Sequence, residues 1–237
     1  MRNNPTRSPY DPDSETGYNV WINESLDYNV VADAMLEDYY GLDKWFKPAV
    51  NLKLNIKPIP GLNYQQVIGY ENRQWELHQY WPSTHRSEID NSRKGHAHLA
   101  FSKTENLTSE GYFSYVKDFK GGHNLNATAG YSYFEVNGEN FGMDNYNFSV
   151  DGIKYWDIGQ GSYLTDGKAG MSSGKSVTGR LFSFFARANY SYQDKYMLSA
   201  SIRHEGSSKF AADNRWANFW SATAGWRISN EEFMKDF

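Results

Sequence analysis

From Val50 onward, apolar and polar residues alternate with a period of two. Val50, Leu52, Leu54 and Ile56 take one face, with Asn51, Lys53, Asn55 and Lys57 on the other, the pattern of a half-buried β-strand. Pro58, Pro60 and Gly61 then make a tight turn, and a second strand returns with Leu62, Tyr64, Ile68 and Tyr70 on one face. Leu107, Ser109, Gly111, Phe113 and Tyr115 share a face of a strand that ends at Lys120, Gly121 and Gly122. In its return partner, Leu125, Ala127, Ala129, Tyr131 and Tyr133 stand opposite Asn124, Asn126, Thr128, Gly130 and Ser132. Phe182, Phe184, Ala186, Ala188, Tyr190 and Tyr192 then lead to a turn at Gln193, Asp194 and Lys195. Tyr196, Leu198, Ala200 and Ile202 follow, and finally Trp220, Ala222, Ala224, Trp226 and Ile228. The spacing predicts strands at about 49–57, 62–72, 104–118, 123–136, 179–192, 196–206 and 215–229, paired in order.

Residues 1–46 break this rhythm and read as irregular, an extracellular loop segment in the expected arrangement. Pro5, Pro9, Pro12 and Gly17 punctuate the start, and only VADAMLEDYY, from Val31 to Tyr40, reads as a helical turn or two. The remainder, 47–237, is the barrel-wall part.

Strands in soluble proteins cluster at about 5–6 residues, whereas most of these alternations last about ten, the length that a tilted strand needs to cross a bilayer. The connections also differ: minimal turns at one end face loops at 73–105, 135–178 and 206–214 at the other. Short turns at the periplasmic end and longer loops outside are the outer-membrane arrangement. The reading is therefore all-β: an antiparallel up-and-down meander of about seven long strands, an open segment of a transmembrane β-barrel.

Composition agrees. Hydrophobic residues make up 39% of the 237 and mean hydropathy is −0.75, yet aromatics reach 17%, with 18 Tyr, 14 Phe and 8 Trp. Disordered chains are poor in aromatics, while barrel walls carry aromatic girdles and a polar lumen. No apolar run approaches the roughly 20 residues of a spanning helix. The opening RNNPTRSPYDPDSETG has no apolar signal core, so an export signal is expected outside this chain. The chain has no cysteine, which excludes thiol catalysis, disulfides and thiolate metal sites. A net charge of −4 argues against nucleic acid as a partner.

Candidate chemistry is thin. His96 and His98 would share a strand face and could form a metal pair, but without a third ligand at motif spacing they read as solvated loop histidines, and no metal or cofactor is expected. HEGSS at 204–208 lacks the spacing of a nucleophile elbow and reads as a tight reversal around Gly206. Arg187, Arg203 and Arg227 face the expected lumen, as a wall ladder paired with acids such as Glu205. Tyr155, Trp156 and Tyr163, in the longest loop, are the candidate substrate-binding residues, placed to stack on sugar rings or peptide side chains. Tyr190, Tyr192 and Tyr196 read instead as girdle residues. Nothing supplies a nucleophile, base or metal constellation, so an enzyme is not expected.

Between 179 and 237 the text RLFSFFARANYSYQDKYMLSASIRHEGSSKF and NRWANFWSATAGWRISNEEF resembles the SusC/RagA family of TonB-linked outer-membrane transporters. It matches that family's aromatic strand, its Tyr-x-Asp-Lys-Tyr turn and its Arg-x-Asp-Gly-Ser-Ser-x-Phe loop, with Glu205 in place of the usual Asp and Lys209 where Arg is frequent. FKGGHNLNATAGYSYFE, the Pro60-Gly61-Leu62 turn and, more weakly, NPTRSPYD resemble it too. The resemblance implies part of a TonB-dependent receptor in the outer membrane. Such a protein imports a bulky nutrient, an oligosaccharide or peptide, with a SusD-like surface lipoprotein. It draws energy from the TonB complex through an N-terminal part that this text does not match. Barrels of this type have about 22 strands, so the chain reads as an internal piece without plug or TonB box. The alternative is a soluble β-sandwich carbohydrate-binding module with the aromatics on its loops. The two differ in whether the apolar faces look outward or at each other.

Overall fold

The computed structural model describes residues 8–20, 29–176 and 178–234. Among the described residues two short α-helices, α1 (Val30–Leu36) and α2 (Arg86–Asp90), accompany nine strands. These are β1 (Asp38–Phe46), β2 (Ala49–Asn55), β3 (Leu62–Trp81), β4 (His96–Phe119), β5 (His123–Tyr146), β6 (Gly170–Lys175), β7 (Gly179–Tyr192), β8 (Tyr196–Ser207) and β9 (Trp216–Trp226). They form one sheet in the order β1-β3-β4-β5-β7-β8-β9, with β2 on β3 and β6 on β5. A sandwich needs two sheets packed face to face; the single sheet among the described residues does not favour that alternative.

All seven expected strands are present and neighbours in sequence pair, but β3, β4 and β5 are longer than the alternation indicated, at 20, 24 and 24 residues. The reading of 1–46 as irregular needs correction over its second half. The helical turns expected in Val31–Tyr40 are there as Val30–Leu36, capped by the Asn29 side chain, which accepts from Ala32 N–H; the departure is Asp38–Phe46, which is a strand. Pro48, which has no N–H to give, separates β1 from β2, while its carbonyl still accepts from Tyr70 N–H at 3.0 Å.

Two compact units divide the chain: Met1–Lys44, Arg73–Lys103 and Glu139–Lys175 in the first; Trp45–Asn72, Thr104–Gly138 and Ser176–Phe237 in the second. The buried hydrophobic residues Ala32, Leu77, Tyr80, Ala97, Phe148 and Tyr155 all belong to the first unit. Among its described residues the second unit has no buried apolar core, and Trp220 is 80% exposed. Its apolar side chains face outward from a single layer.

Register arranges that layer in rows. His123, Tyr192, Tyr196 and Trp226 lie opposite one another across β5, β7, β8 and β9, the tyrosines and tryptophan stacking at 6.4 and 6.5 Å. The row Ala127, Ala188, Ala200, Ala222 comes next but one, and Tyr133, Phe182, Gly206 and Trp216 form the far row of the same face. Tyr192 and Phe182 are ten residues apart, roughly 34 Å of strand. At a tilt near 40° that is about 26 Å of height, against an outward apolar band of about 25 Å in outer-membrane barrels. The ion pair Glu135–Arg180 stands on the same face just beyond the far row. The opposite face carries Asn126, Asn189, Ser199 and Thr223, then Thr128, Arg187, Ser201 and Ser221.

The short turns are tied side by side. Val116 N–H donates to Gly61 O at 3.0 Å, Gln193 N–H to Gly122 O at 2.7 Å and Arg227 N–H to Lys195 O at 2.7 Å. Gly61 has φ +91°, and a Cβ there would lie 2.1 Å from Val116 O, so only glycine fits. Gln193 and Asp194, at φ +52° and +54°, are left-handed residues of the three-residue connection between the paired Tyr192 and Tyr196, closed by Lys195 N–H donating to Tyr192 O at 3.0 Å. Polar residues on the outward face are paired: His204 with Asn218 at 2.8 Å, and Gln66 among tyrosines. Gln66 Oε1 accepts from Tyr64 and Tyr131 hydroxyls at 2.7 and 3.0 Å, and its amide donates to Ser109 Oγ at 3.1 Å.

A layer without its own core needs lipid or detergent on its outward face. The chain expressed alone is expected in the insoluble fraction or in micelles; sedimentation in plain buffer showing a cooperatively melting monomer would contradict this. Ala200→Arg, in the middle alanine row, should cost about 2–4 kcal/mol of stability, read from denaturant titrations in micelles against Ala217→Arg on the opposite face.

Candidate functional site

The long segment after β5 is fastened by two buried or half-buried side chains. Asn145, 3% exposed, donates to Ile158 O at 2.7 Å and Gly161 O at 2.8 Å, and its Oδ1 accepts from Leu164 N–H at 3.1 Å. Asp151 accepts from the Tyr80 hydroxyl at 2.7 Å, Ser83 N–H at 2.9 Å and Ser83 Oγ at 2.6 Å. Burial, then the Asp151 carboxylate, push the Tyr80 hydroxyl far above its usual range, so it serves as a permanent donor. Around this clamp Tyr80, Ala97, Phe148 and Tyr155 form a core, with Leu99, Ile153 and Ile158 against it.

The three aromatic residues singled out from the sequence have three different environments. Tyr155 is 8% exposed and belongs to that core; its hydroxyl points at Asp38, which also holds the Lys154 ammonium. Trp156, the next residue, is 76% exposed. Tyr163 is half-buried against Tyr146, ring centroids 5.2 Å apart, with the Lys168 ammonium 5.3 Å from its ring. Tyr40 and His78, which the sequence did not mark, extend the first group into an arc. Ring centroids are 5.5 Å apart for Tyr40–His78, 5.3 Å for His78–Tyr155 and 4.9 Å for Tyr155–Trp156. The arc offers open rings at Tyr40 and Trp156 over a buried support.

His96 and His98 are not solvated loop residues. Both lie in β4, and His96 Nε2 and His98 Nδ1 each stand 2.8 Å from Asp144 Oδ1. His96 is also stacked between Trp81 at 4.6 Å and Tyr146 at 4.2 Å. Glu88, fully buried, accepts from Arg93 Nε and Nη2 at 2.9 and 2.8 Å. Among the described residues no group of three or more His, Asp or Glu is arranged to hold a metal ion. Burial lowers the pKa of His96 against the pull of Asp144 and Glu88. Burial likewise lowers that of His85, whose Nδ1 caps α2 by accepting from Ser87 N–H at 3.2 Å.

The three arginines of the opposite wall face separate. Arg203 pairs with Glu205 at 2.6 Å, as the ladder reading expected, and Arg187 reaches Asn189 at 3.4 Å. Arg227 is drawn instead to Asp194 in the short turn. The reversal expected at 204–208 is instead strand: His204 to Ser207 continue β8, Gly206 lying between Phe182 and Trp216, and the chain turns only after Ser207. Gly206 is required for closeness, since a Cβ there would meet the Trp216 ring at 2.8 Å.

No family model matches the chain. A TonB-dependent receptor of Formosa agariphila is 30% identical over 200 residues, covering 81% of this chain and 18% of that protein. A second from the same organism is 29% identical over 178 residues, 75% of this chain and 17% of the relative. The TonB-dependent receptor SusC of Bacteroides thetaiotaomicron is 39% identical over 71 residues, 30% of this chain and 7% of SusC. Among solved structures, the RagAB peptide transporter aligns with TM-score 0.71 at 20% identity, over 85% of this chain and 22% of the other. RagAB in its open-open state gives 0.73 at 20% identity, over 85% and 21%. The chain is thus SusC/RagA-like, similar over most of its length to a stretch of TonB-dependent receptors, and its fold is similar to part of the RagA barrel. It spans about a fifth of the length of the curated relatives that it matches over most of its own length.

The lowered histidines give the first unit a pH dependence. Both start from 6.5 in the unfolded chain and titrate lower when folded, so below 6.5 the unfolded chain binds more protons. Stability of this unit should be complete above 6.5 and decline as pH falls below it. Amide exchange at Ala97 and Phe148, corrected for intrinsic rates, should show lower protection at pH 5.5 than at 7.5, and His85→Asn should reduce the difference.

Proposed function

We propose that this chain is wall and outer loops of an outer-membrane TonB-dependent transporter of the SusC/RagA kind. The observation that carries the reading is the pair of aromatic rows ten residues apart on one face of β5, β7, β8 and β9, bounding an apolar band of bilayer height. The names of the relatives support it. The cargo is a bulky nutrient, oligosaccharide or peptide, and a SusD-like lipoprotein covers the loop end. TonB energy enters through parts of the longer relatives that this chain does not span. The role is transport, with no bond made or broken by the chain.

In this reading the turns 58–61, 119–122 and 193–195 face the periplasm and the segment 147–169 faces outside. Trp156 and Tyr163 meet cargo or lid, and Tyr155 holds Trp156 from beneath. The segment 8–20 and α1 also belong to the outer side.

Single cysteines test the orientation cleanly, because the native chain has none. In a parent transporter containing this chain, an impermeant thiol reagent on intact cells should label Asp157→Cys and spare Asp194→Cys; the reverse pattern inverts the barrel. In the same background Trp156→Ala should weaken uptake or lid docking several-fold without changing the amount of assembled barrel, since an exposed loop ring supports no wall packing.

A further inference from the structure

Strand β6 has an open edge that does not lie at either end of the sheet order. It pairs with β5 alone, while β7, the next strand on β5, is paired with β8 from Leu181 to Tyr192. Val136 lies opposite Gly179 and Glu139 opposite Lys175, so the two ladders on β5 are offset from one another by one residue. The β6 ladder therefore has its own phase.

That phase is fixed by one bond: Ser176 N–H donates to Gly138 O at 2.7 Å. In an antiparallel ladder, opposed residues alternate between exchanging both bonds and exchanging none. Counting from Ser176 through the unbroken register, Gly174, Ser172 and Gly170 bond to β5. Met171, Ser173 and Lys175 turn their N–H and C=O groups the other way. Among the described residues these six groups have no hydrogen-bonding partner.

The side chains leave this edge accessible. Every residue of β6 after Gly170 is exposed, and its middle, Ser172-Ser173-Gly174, is small enough for a second backbone to approach. Natural edges are blunted by short length, charged side chains such as lysine, proline, a bulge or a covering loop; β6 is six residues long and ends in Lys175, but between Met171 and Gly174 it carries no charge, proline or bulge. Lys168 and Lys175 bracket the edge, Lys175 with no acidic contact among the described residues and Lys168 over the Tyr163 ring.

We infer that β6 is a docking edge for an extended acidic segment of a partner protein, added as a further strand along Met171, Ser173 and Lys175. Main-chain bonds hold the added strand, as in other cases of strand addition, and the two lysines select for carboxylates. Six outward groups match a segment of about five residues. The inference rests on the ladder alone and does not depend on the transport reading.

The test is residue-resolved amide exchange on the 237-residue chain refolded in micelles. Free, the amides of Ser172 and Gly174 should be protected and those of Met171, Ser173 and Lys175 should exchange fast; fast exchange at Ser172 and Gly174 overturns the strand itself. A capped hexapeptide alternating threonine and glutamate, at saturating concentration, should slow the three outward amides at least tenfold. Its threonine–lysine counterpart should not. No slowing by the glutamate peptide, or equal slowing by both, rejects the proposed partner. Slowing that follows chain concentration without peptide assigns the edge to a second copy and overturns it too. Ser173→Pro removes one outward N–H and no ladder bond, so peptide protection at Met171 and Lys175 should disappear while Ser172 and Gly174 stay protected.

Discussion

Backbone hydrogen bonding within the sheet is the constraint on which the second unit depends. A strand in hydrocarbon has no water for its N–H and C=O groups, so each must be met by a neighbouring strand. Here the ladders from β5 through β9 run without interruption from His123–Tyr192 to Val136–Gly179, and from Tyr196–Trp226 to Gly206–Trp216. No buried apolar residue supplements them in this unit among those described. The ladder therefore sets where every side chain stands, and a slip of one residue would bring Asn126, Arg187 and Thr223 to the apolar face. The turn-to-turn bonds at Gly61, Gly122 and Lys195 pin the hairpins against that slip.

The first unit is held by a different balance. Its core is small, and its polar residues carry much of the order: Asn145 and Asp151 fix the long segment, and Glu88 and Asp144 gather Arg93, His96 and His98. Buried polar groups of this kind stabilise when every partner is in place and cost when one is lost. That makes a rigid support for exposed rings such as Trp156, and it makes the support sensitive to protons through His85 and His96. Cross-strand ion pairs Lys44–Glu76 and Arg73–Asp43 tie β1 to β3 at the surface, where each contributes little alone.

The wall was legible because its two faces meet different solvents. Leu198, Ala200 and Ile202 alternate with Ser199, Ser201 and Arg203 since one set meets lipid and the other a wet side, and a period of two records that directly. The upper part of β3, Glu71 to Trp81, hid its strand because Leu77 and Tyr80, of opposite parity, are both buried, so the alternation vanishes. β1 escaped notice for the converse reason, being exposed along most of both faces. Tyr155 and Trp156 are neighbours of one chemical type. What separates a core ring from a free one is the distant contacts, Asp38 and the Tyr80 cluster, which no local pattern carries. His96 and His98 were recognised as sharing a face; their anchor, Asp144, lies 46 residues or more away and was not.

Strand direction adds a last step. β2 is antiparallel to β3, and β5, β7, β8 and β9 are antiparallel in turn. Hairpin connection of β3 to β4 and of β4 to β5 through the tight 119–122 turn makes the succession alternate throughout, so β2 and β9 run the same way. Antiparallel partners for these two edges must both run opposite to them. Two copies of this chain inserted in a membrane with the same orientation could therefore join β2 to β9 only as a parallel pair. A closed antiparallel wall, with its even number of strands, needs an odd number of further strands beside these seven. Such strands must begin and end with the opposite direction, a requirement that a continuous longer wall meets and that self-association in one orientation does not.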